Sequence, residues 1–145
     1  MSVIMPDLDQ AVLARRAEIV AALSAIVPGE GVVSAERAMR PFESDGLTAY
    51  KQLPMVVVLP ETTDQVAKVL RYCHDNGVRV VPRGAGTSLS GGALPLADGV
   101  LLGMGKFNKI LDIDFENRTV TAQPGVTNLG ITKTVEHAGF YYAPD

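Results

Sequence analysis

At 145 residues the chain has one domain's length, enough to bury a core but small for an enzyme carrying a large cofactor and its own substrate site. Hydrophobic residues make up 47% and charged residues 20%, and a net charge of −3 removes the electrostatic ground for nucleic-acid binding. The single Cys73 excludes an internal disulfide, and with only His74 and His137 beside it leaves too few ligands for a structural zinc site, a pattern suited to a reducing cytoplasm.

Residues 7 to 27 place Leu8, Val12, Ile19, Val20, Leu23, Ile26 and Val27 at helical spacing, and Pro28-Gly29 stops the pattern. The spacing predicts one amphipathic helix packed on the domain surface. Asp7 and Asp9 precede its apolar run and Arg15 and Arg16 lie within it, the wrong order for a signal peptide, and no apolar run approaches the about 20 residues of a membrane span. Val32 and Val33 form a short apolar pair, residues 35 to 39 a weak helical turn, and PFESDGLTAYKQLP an ordered loop. Asp45 and Tyr50 are open to a ligand role there, but an aspartate beside Gly46 reads first as a turn residue.

MVVVL at residues 55 to 59, bracketed by Pro54 and Pro60, predicts a short buried strand. A helix follows, opened by a capping box at Thr62 and Gln65, with Val66, Val69, Leu70 and Cys73 on one face and Asn76-Gly77 as its stop. His74 falls outside that stripe and reads as a surface histidine. VRVVP at residues 78 to 82 is a second strand, so strand, helix and strand imply a parallel pair with a right-handed crossover. Residues 99 to 104 are another apolar run. Residues 109 to 123 predict an antiparallel hairpin, with Leu111, Ile113 and Phe115 on one face, Ile110, Asp112 and Asp114 on the other, and a turn at Glu116-Asn117-Arg118. Asp112 and Asp114 lack a third ligand and read as solvated. A last helix starts near Thr127 or Asn128, buries Ile131, Val135 and Ala138, and closes at Gly139.

The second strand delivers the chain into RGAGTSLSGG, residues 83 to 92, where ligands of parallel sheets bind. Gly84, Gly86, Gly91 and Gly92 permit positive φ and close backbone approach, while Thr87, Ser88 and Ser90 add hydroxyls without bulk. Converging N–H groups in such a turn can wrap an anion, with Arg83 as a flanking cation; the alternative is a long glycine-rich surface loop. The dinucleotide fingerprint fails because Leu89 stands at its third glycine and Pro95 interrupts the following segment. A Walker loop fails because Gly92 and Ala93 replace its lysine and hydroxyl residue. What remains is a cradle of backbone N–H groups and hydroxyls that needs neither a helix terminus nor a metal.

VVPRGAGTSLSGGALP, YKQLPMVVVLP, TAQPGV and YYAPD occur together in this chain. With these it resembles the FAD-binding domain of the vanillyl-alcohol-oxidase (p-cresol-methylhydroxylase, PCMH) superfamily, and within it the glycolate oxidase flavoprotein subunit and FAD-linked D-lactate dehydrogenases. The resemblance implies an α+β fold, the N-terminal half of a PCMH-type domain, with a short parallel β-α-β unit, antiparallel strands and flanking helices. Residues 1–53 form an N-terminal helix and loop segment, and residues 54–145 a first subdomain whose second half and substrate-cap domain are absent.

On the same resemblance FAD is the cofactor. Its pyrophosphate meets Arg83, Gly84, Ala85, Gly86, Thr87 and Ser88; Leu89 continues the loop, Ser90, Gly91 and Gly92 lie nearer the flavin ring, and Pro144 and Asp145 open a second flavin-contacting segment. The implied reaction is oxidation of a small 2-hydroxy acid such as glycolate or D-lactate, its hydroxyl proton going to a base and a hydride from Cα to flavin N5. No residue of this chain is assigned as that base, and Tyr141 and Tyr142 read as packing residues. The implied partners are subunits of an oxidase complex, with a cytoplasmic location that allows peripheral membrane attachment through them. Two rivals stay open: a non-catalytic half-site or assembly module completed by a partner chain, and a flavin-dependent reductase of the sugar-nucleotide type.

Overall fold

The computed structural model describes residues 5–143. Its central sheet has the strand order β1-β2-β4-β3: β1 (Val32–Val33), β2 (Val56–Val58), β3 (Arg79–Arg83) and β4 (Gly99–Gly103). β2 and β3 each run parallel to β4, and β1 is antiparallel to β2. The two strands expected to pair are therefore parallel but not adjacent. The run expected only as another apolar segment, β4, fits between them, and all its residues are buried.

Alternation along β2 and β4 divides the core between the two sheet faces. Val56, Val58, Val100 and Leu102 face Ile19, Leu23, Val69 and Cys73 of the helices, whereas Val57 and Leu101 face Met39, with Val33, Phe42, Leu53 and Leu59 around them. Because both faces are covered, these strands show a continuous apolar run rather than an alternating one. Residues 12 to 27 and 54 to 104 thus share one core cluster.

The N-terminal segment forms two helices, α1 (Gln10–Ala14) and α2 (Arg16–Ile26), not the single helix expected. They part at Arg15 (φ −93°, ψ 9°), whose guanidinium donates to the Asn76 carbonyl at 2.8 Å, while Arg16 donates to the carbonyls of Met55 and Ser34. Neighbouring positions on one continuous helix do not share a face, so the break lets two consecutive arginines secure different carbonyls. Asp9 caps α1, and its own N–H donates to the buried Asp98 at 2.8 Å, tying the helix to the amino edge of β4.

α3 (Glu36–Met39) is one turn of helix, and α4 (Thr63–Asp75) follows β2. Thr62 accepts from the Gln65 N–H at 3.2 Å, and Gln65 accepts from the Glu61 N–H at 2.7 Å, one residue earlier than the reciprocal bond of a standard capping box. Val69 and Cys73 are buried as expected, but Leu70 is 45% exposed and Tyr72 instead packs against the core.

The hairpin forms from β5 (Ile110–Asp114) and β6 (Thr119–Ala122). A register shift between Ile110 and Asp112 leaves Leu111 60% exposed, so the strict face alternation expected there fails at the bulge. Asp114 accepts from the backbone N–H and side-chain amide of Asn117, which hold its pKa below the ordinary value. α5 (Asn128–Val135) is capped by Thr127, and Gly139 ends its trailing 3₁₀ turn in the left-handed region. Val135 is buried there, Ile131 partly so, and Ala138 is exposed rather than on the packed face.

Candidate functional site

β2, β3 and β4 end along one edge, and the glycine-rich loop leaves that edge at Arg83. Gly86 and Gly91 have φ of +75° and +80°, backbone states that L side chains rarely adopt, so glycine is favoured at both turns. Among the described residues, the backbone N–H groups of residues 84 to 89 meet no protein acceptor. Two donors further along are committed: the Ser90 N–H donates to Ser88 Oγ at 3.3 Å and the Gly91 N–H to Asp45 Oδ2 at 3.1 Å, while among the described residues the Gly92 N–H, like those of 84 to 89, meets no protein acceptor.

Arg83 does not stand outside the loop as a free cation. Its Nη1 donates to the carbonyls of Ser44 at 2.7 Å and Ala93 at 3.1 Å, and its guanidinium lies 6.0 Å from the Phe42 ring centroid. A Cβ on Gly86 would collide with that guanidinium, so the glycine makes room for the arginine as well as for the turn. Burial pulls the Arg83 pKa down, and the nearby Asp45 charge opposes that shift. Arg83 thus draws residues 44 and 93 together behind the loop.

Asp45 and Gly46 complete this brace. Asp45 is only 5% exposed; its Oδ1 accepts from the Leu47 N–H at 3.1 Å, making the expected turn, while Oδ2 holds Gly91. The Gly46 N–H donates to the Ser88 carbonyl at 3.0 Å, and a Cβ there would lie 2.6 Å from the Thr87 carbonyl oxygen. Only glycine lets the two backbones approach this closely. Tyr50 has no bond to the loop among the described residues.

In front of the loop lies a cavity of about 570 Å³, bounded by Gly84, Ala85 and Thr87, by Gly105 beyond β4, and by residues 124 to 129 at the start of α5. Gly125 sits against the residues that follow β4: its N–H donates to the Phe107 carbonyl at 2.7 Å, and a Cβ would meet the Met104 and Phe107 oxygens at 2.5 and 2.7 Å. Thr127 Oγ1 caps α5 by accepting from Gly130 at 3.0 Å, and the positive end of that helix borders the cavity. Gly84 and Gly105 border it too, and a Cβ at either would meet no protein atom within 4 Å. A tight loop of N–H donors, a helix start and walls opened by Gly84 and Gly105 together suit an extended anionic ligand.

The structure brings Gly84, Ala85 and Thr87 to this cavity and leaves Leu89 66% exposed at the loop's outer tip. Tyr141 and Tyr142 lie elsewhere, exposed beside a second groove between the hairpin and α5. Pro144 and Asp145 lie outside the described residues. Sequence reasoning missed the Asp45–Gly46 brace, Gly105, and residues 124 to 129 as a wall. Only the last carried a signal, the TAQPGV motif. Cys73 is buried, which pushes its thiol pKa up to about 11, and it lies in the core away from the cavity. Among the described residues no helix is long and apolar enough to cross a membrane.

Comparison with known proteins identifies the family. The glycolate oxidase subunit GlcD of Escherichia coli (strain K12) is 47% identical over 141 residues, covering 97% of this chain and 27% of that protein. A D-lactate dehydrogenase of Anaerostipes hadrus is 39% identical over 105 residues, covering 72% of this chain and 22% of that one. The chain thus spans about a quarter of the length of these curated relatives. A substrate-bound p-cresol methylhydroxylase structure superposes with a TM-score of 0.73 at 19% identity, over 95% of this chain and 27% of the other, and so shares the fold. The FAD binding domain family matches residues 54–145, and the chain belongs to that family, with FAD as its cofactor.

Proposed function

We propose that the loop from Gly84 to Leu89 holds the pyrophosphate of FAD and that the longer protein oxidises a small 2-hydroxy acid of the glycolate or D-lactate type. The observation that carries the first part is the run of N–H groups without protein acceptors beside a cavity bordered by the start of α5. The residues fit such a group: two diphosphate charges suit converging N–H dipoles, and the space left by the absent Cβ atoms of Gly84 and Gly105 is free of protein atoms. The substrate class rests on what the relatives are named for.

Bound FAD supplies a two-electron acceptor for substrate oxidation. This chain's share is binding and orientation. The braced loop fixes the donors before the ligand arrives, so little ordering entropy is lost on binding, and residues 124 to 129 cover the ligand from the opposite side. No residue of the chain is assigned the proton transfer. Partner subunits, in keeping with the "subunit" in the E. coli relative's name, and a cytoplasmic location, in keeping with the buried free Cys73, complete the reading.

FAD titration followed by flavin fluorescence tests it on the purified chain. Gly84→Val fills the cradle at a position where a Cβ meets no protein atom, and a Gly86→Val, Gly91→Val double variant destroys both turns. Both are expected to lose FAD binding, with Gly84→Val keeping the wild-type melting temperature. Equal binding by wild type and Gly84→Val would sink the assignment.

A further inference from the structure

The glycine-rich loop offers donors along its whole length, yet those of Ser90 and Gly91 are already taken by the protein. We infer that Asp45 is the loop's resident anion: its carboxylate occupies the Gly91 end, fixes that turn, and confines the diphosphate of the ligand to the N–H groups of residues 84 to 89. The inference rests on the FAD reading above and deepens it by saying which loop donors the phosphates take.

Three observations carry it. Asp45 is nearly fully buried, yet both its oxygens are bonded to backbone N–H groups, Leu47 on its own turn and Gly91 across the fold, 46 residues away. Removing a carboxylate from water is costly unless it is hydrogen-bonded, and this one takes one N–H from its own turn and the other from the loop. Next, Gly46 brings the same segment into backbone contact with Thr87 and bonds Ser88, so Asp45 is held at a fixed position against the loop. Finally, Gly91 has φ +80°, a state glycine occupies freely but does not prefer over others, so a bond to its N–H from outside the turn adds to the turn's own Leu94–Gly91 bond in holding it. Asp45 supplies that bond. A second anion at Gly91 would sit against this carboxylate, and like charges at such range repel. Of the loop's free donors, those of Gly84, Ala85 and Thr87 border the cavity. Asp45 precedes the residues matched by the family, 54–145. It acts through the loop and is a positioning residue.

Amide-resolved NMR on the ¹⁵N-labelled chain tests this with wild type, Asp45→Ala and Asp45→Asn. Asn carries one acceptor where Asp carries two, so this near-isosteric change cannot fill both N–H groups and preserves the fold if Ala does not. Gly91 amide exchange is expected to quicken by about tenfold or more in Asp45→Ala, and FAD affinity to fall by about tenfold in both variants, with the dispersed amide spectrum of the folded chain retained in Asp45→Asn. In wild type, FAD addition is expected to shift the amides of residues 84 to 89 and leave Gly91 nearly still. Wild-type affinity in both variants, unchanged Gly91 exchange, or the largest shift at Gly91 would each overturn the inference while leaving the FAD reading in place. Failure of wild type to bind FAD overturns both.

Discussion

The same chemical change, glycine to alanine, is expected to have opposite effects at two walls of the cavity. At Gly125 the added Cβ would lie 2.5 Å from the Met104 oxygen and 2.7 Å from the Phe107 oxygen, both backbone atoms. Backbone in a packed turn cannot swing aside as a side-chain tip can, so either the Gly125–Phe107 bond lengthens or the segment leading to α5 shifts. Overpacking of this kind costs about 1–3 kcal/mol, partly offset by the roughly 0.4–1 kcal/mol that alanine gains by restricting the unfolded chain. A net loss of about 1–2 kcal/mol follows. For 145 residues the unfolding entropy is about 0.3 kcal/mol/K, so Gly125→Ala should lower the melting temperature by about 3–7 °C. Gly84→Ala meets no atom within 4 Å, and its φ lies outside the positive range, so its stability should be unchanged or higher by up to about 1 kcal/mol. Calorimetry or thermal circular dichroism on both variants reads the difference, and FAD titration of Gly125→Ala shows whether the displaced wall also weakens the site. Equal melting temperatures for the two variants would refute the steric reasoning.

Two further outcomes are expected. Leu23→Ala, at a fully buried core position, should cost about 2–5 kcal/mol, whereas Leu70→Ala, at a position 45% exposed on α4, should stay within about 0.5 kcal/mol; denaturant titration separates them. Cys73 should resist alkylation near pH 8 in the folded protein and react quickly once unfolded, because burial holds its thiol pKa near 11. The sign for stability follows from that raised value. The folded state keeps the proton that the unfolded thiol releases near pH 9, so this contribution is complete below pH 9 and is lost as pH climbs from 9 toward 11. Cys73→Ala should lack that component of the alkaline fall, which denaturant melts across the range would measure.

Much of the local structure was legible because its causes are local. Pro54 and Pro60 bracket a β-branched run and give β2; Thr62 and Gln65 give the start of α4; Gly86 and Gly91 give two turns in backbone states that other residues rarely adopt. Two of the helical misreadings have identifiable competitors: at the Arg15 break the arginines bond the carbonyls of Asn76 and Met55, and on α4 Tyr72 rather than Leu70 packs against the core. The hairpin's alternation failed at Leu111 because a bulge, which shifts register by one residue, leaves no mark in the polar and apolar pattern.

By itself, then, the sequence determined most of the strands, helices and tight turns, and that the chain carries a glycine-rich loop that fits neither of the commoner phosphate motifs. Only the tertiary structure decided that β4 divides β2 from β3, that Arg83 turns inward, that Asp45 claims Gly91, and that residues 124 to 129 close the cavity from across the fold. The physical reason is common to all four. Each depends on backbone N–H and carbonyl groups, which nearly every residue carries alike, meeting partners many positions away. Side-chain pattern says where a segment buries its apolar face, but not which backbone it will be held against.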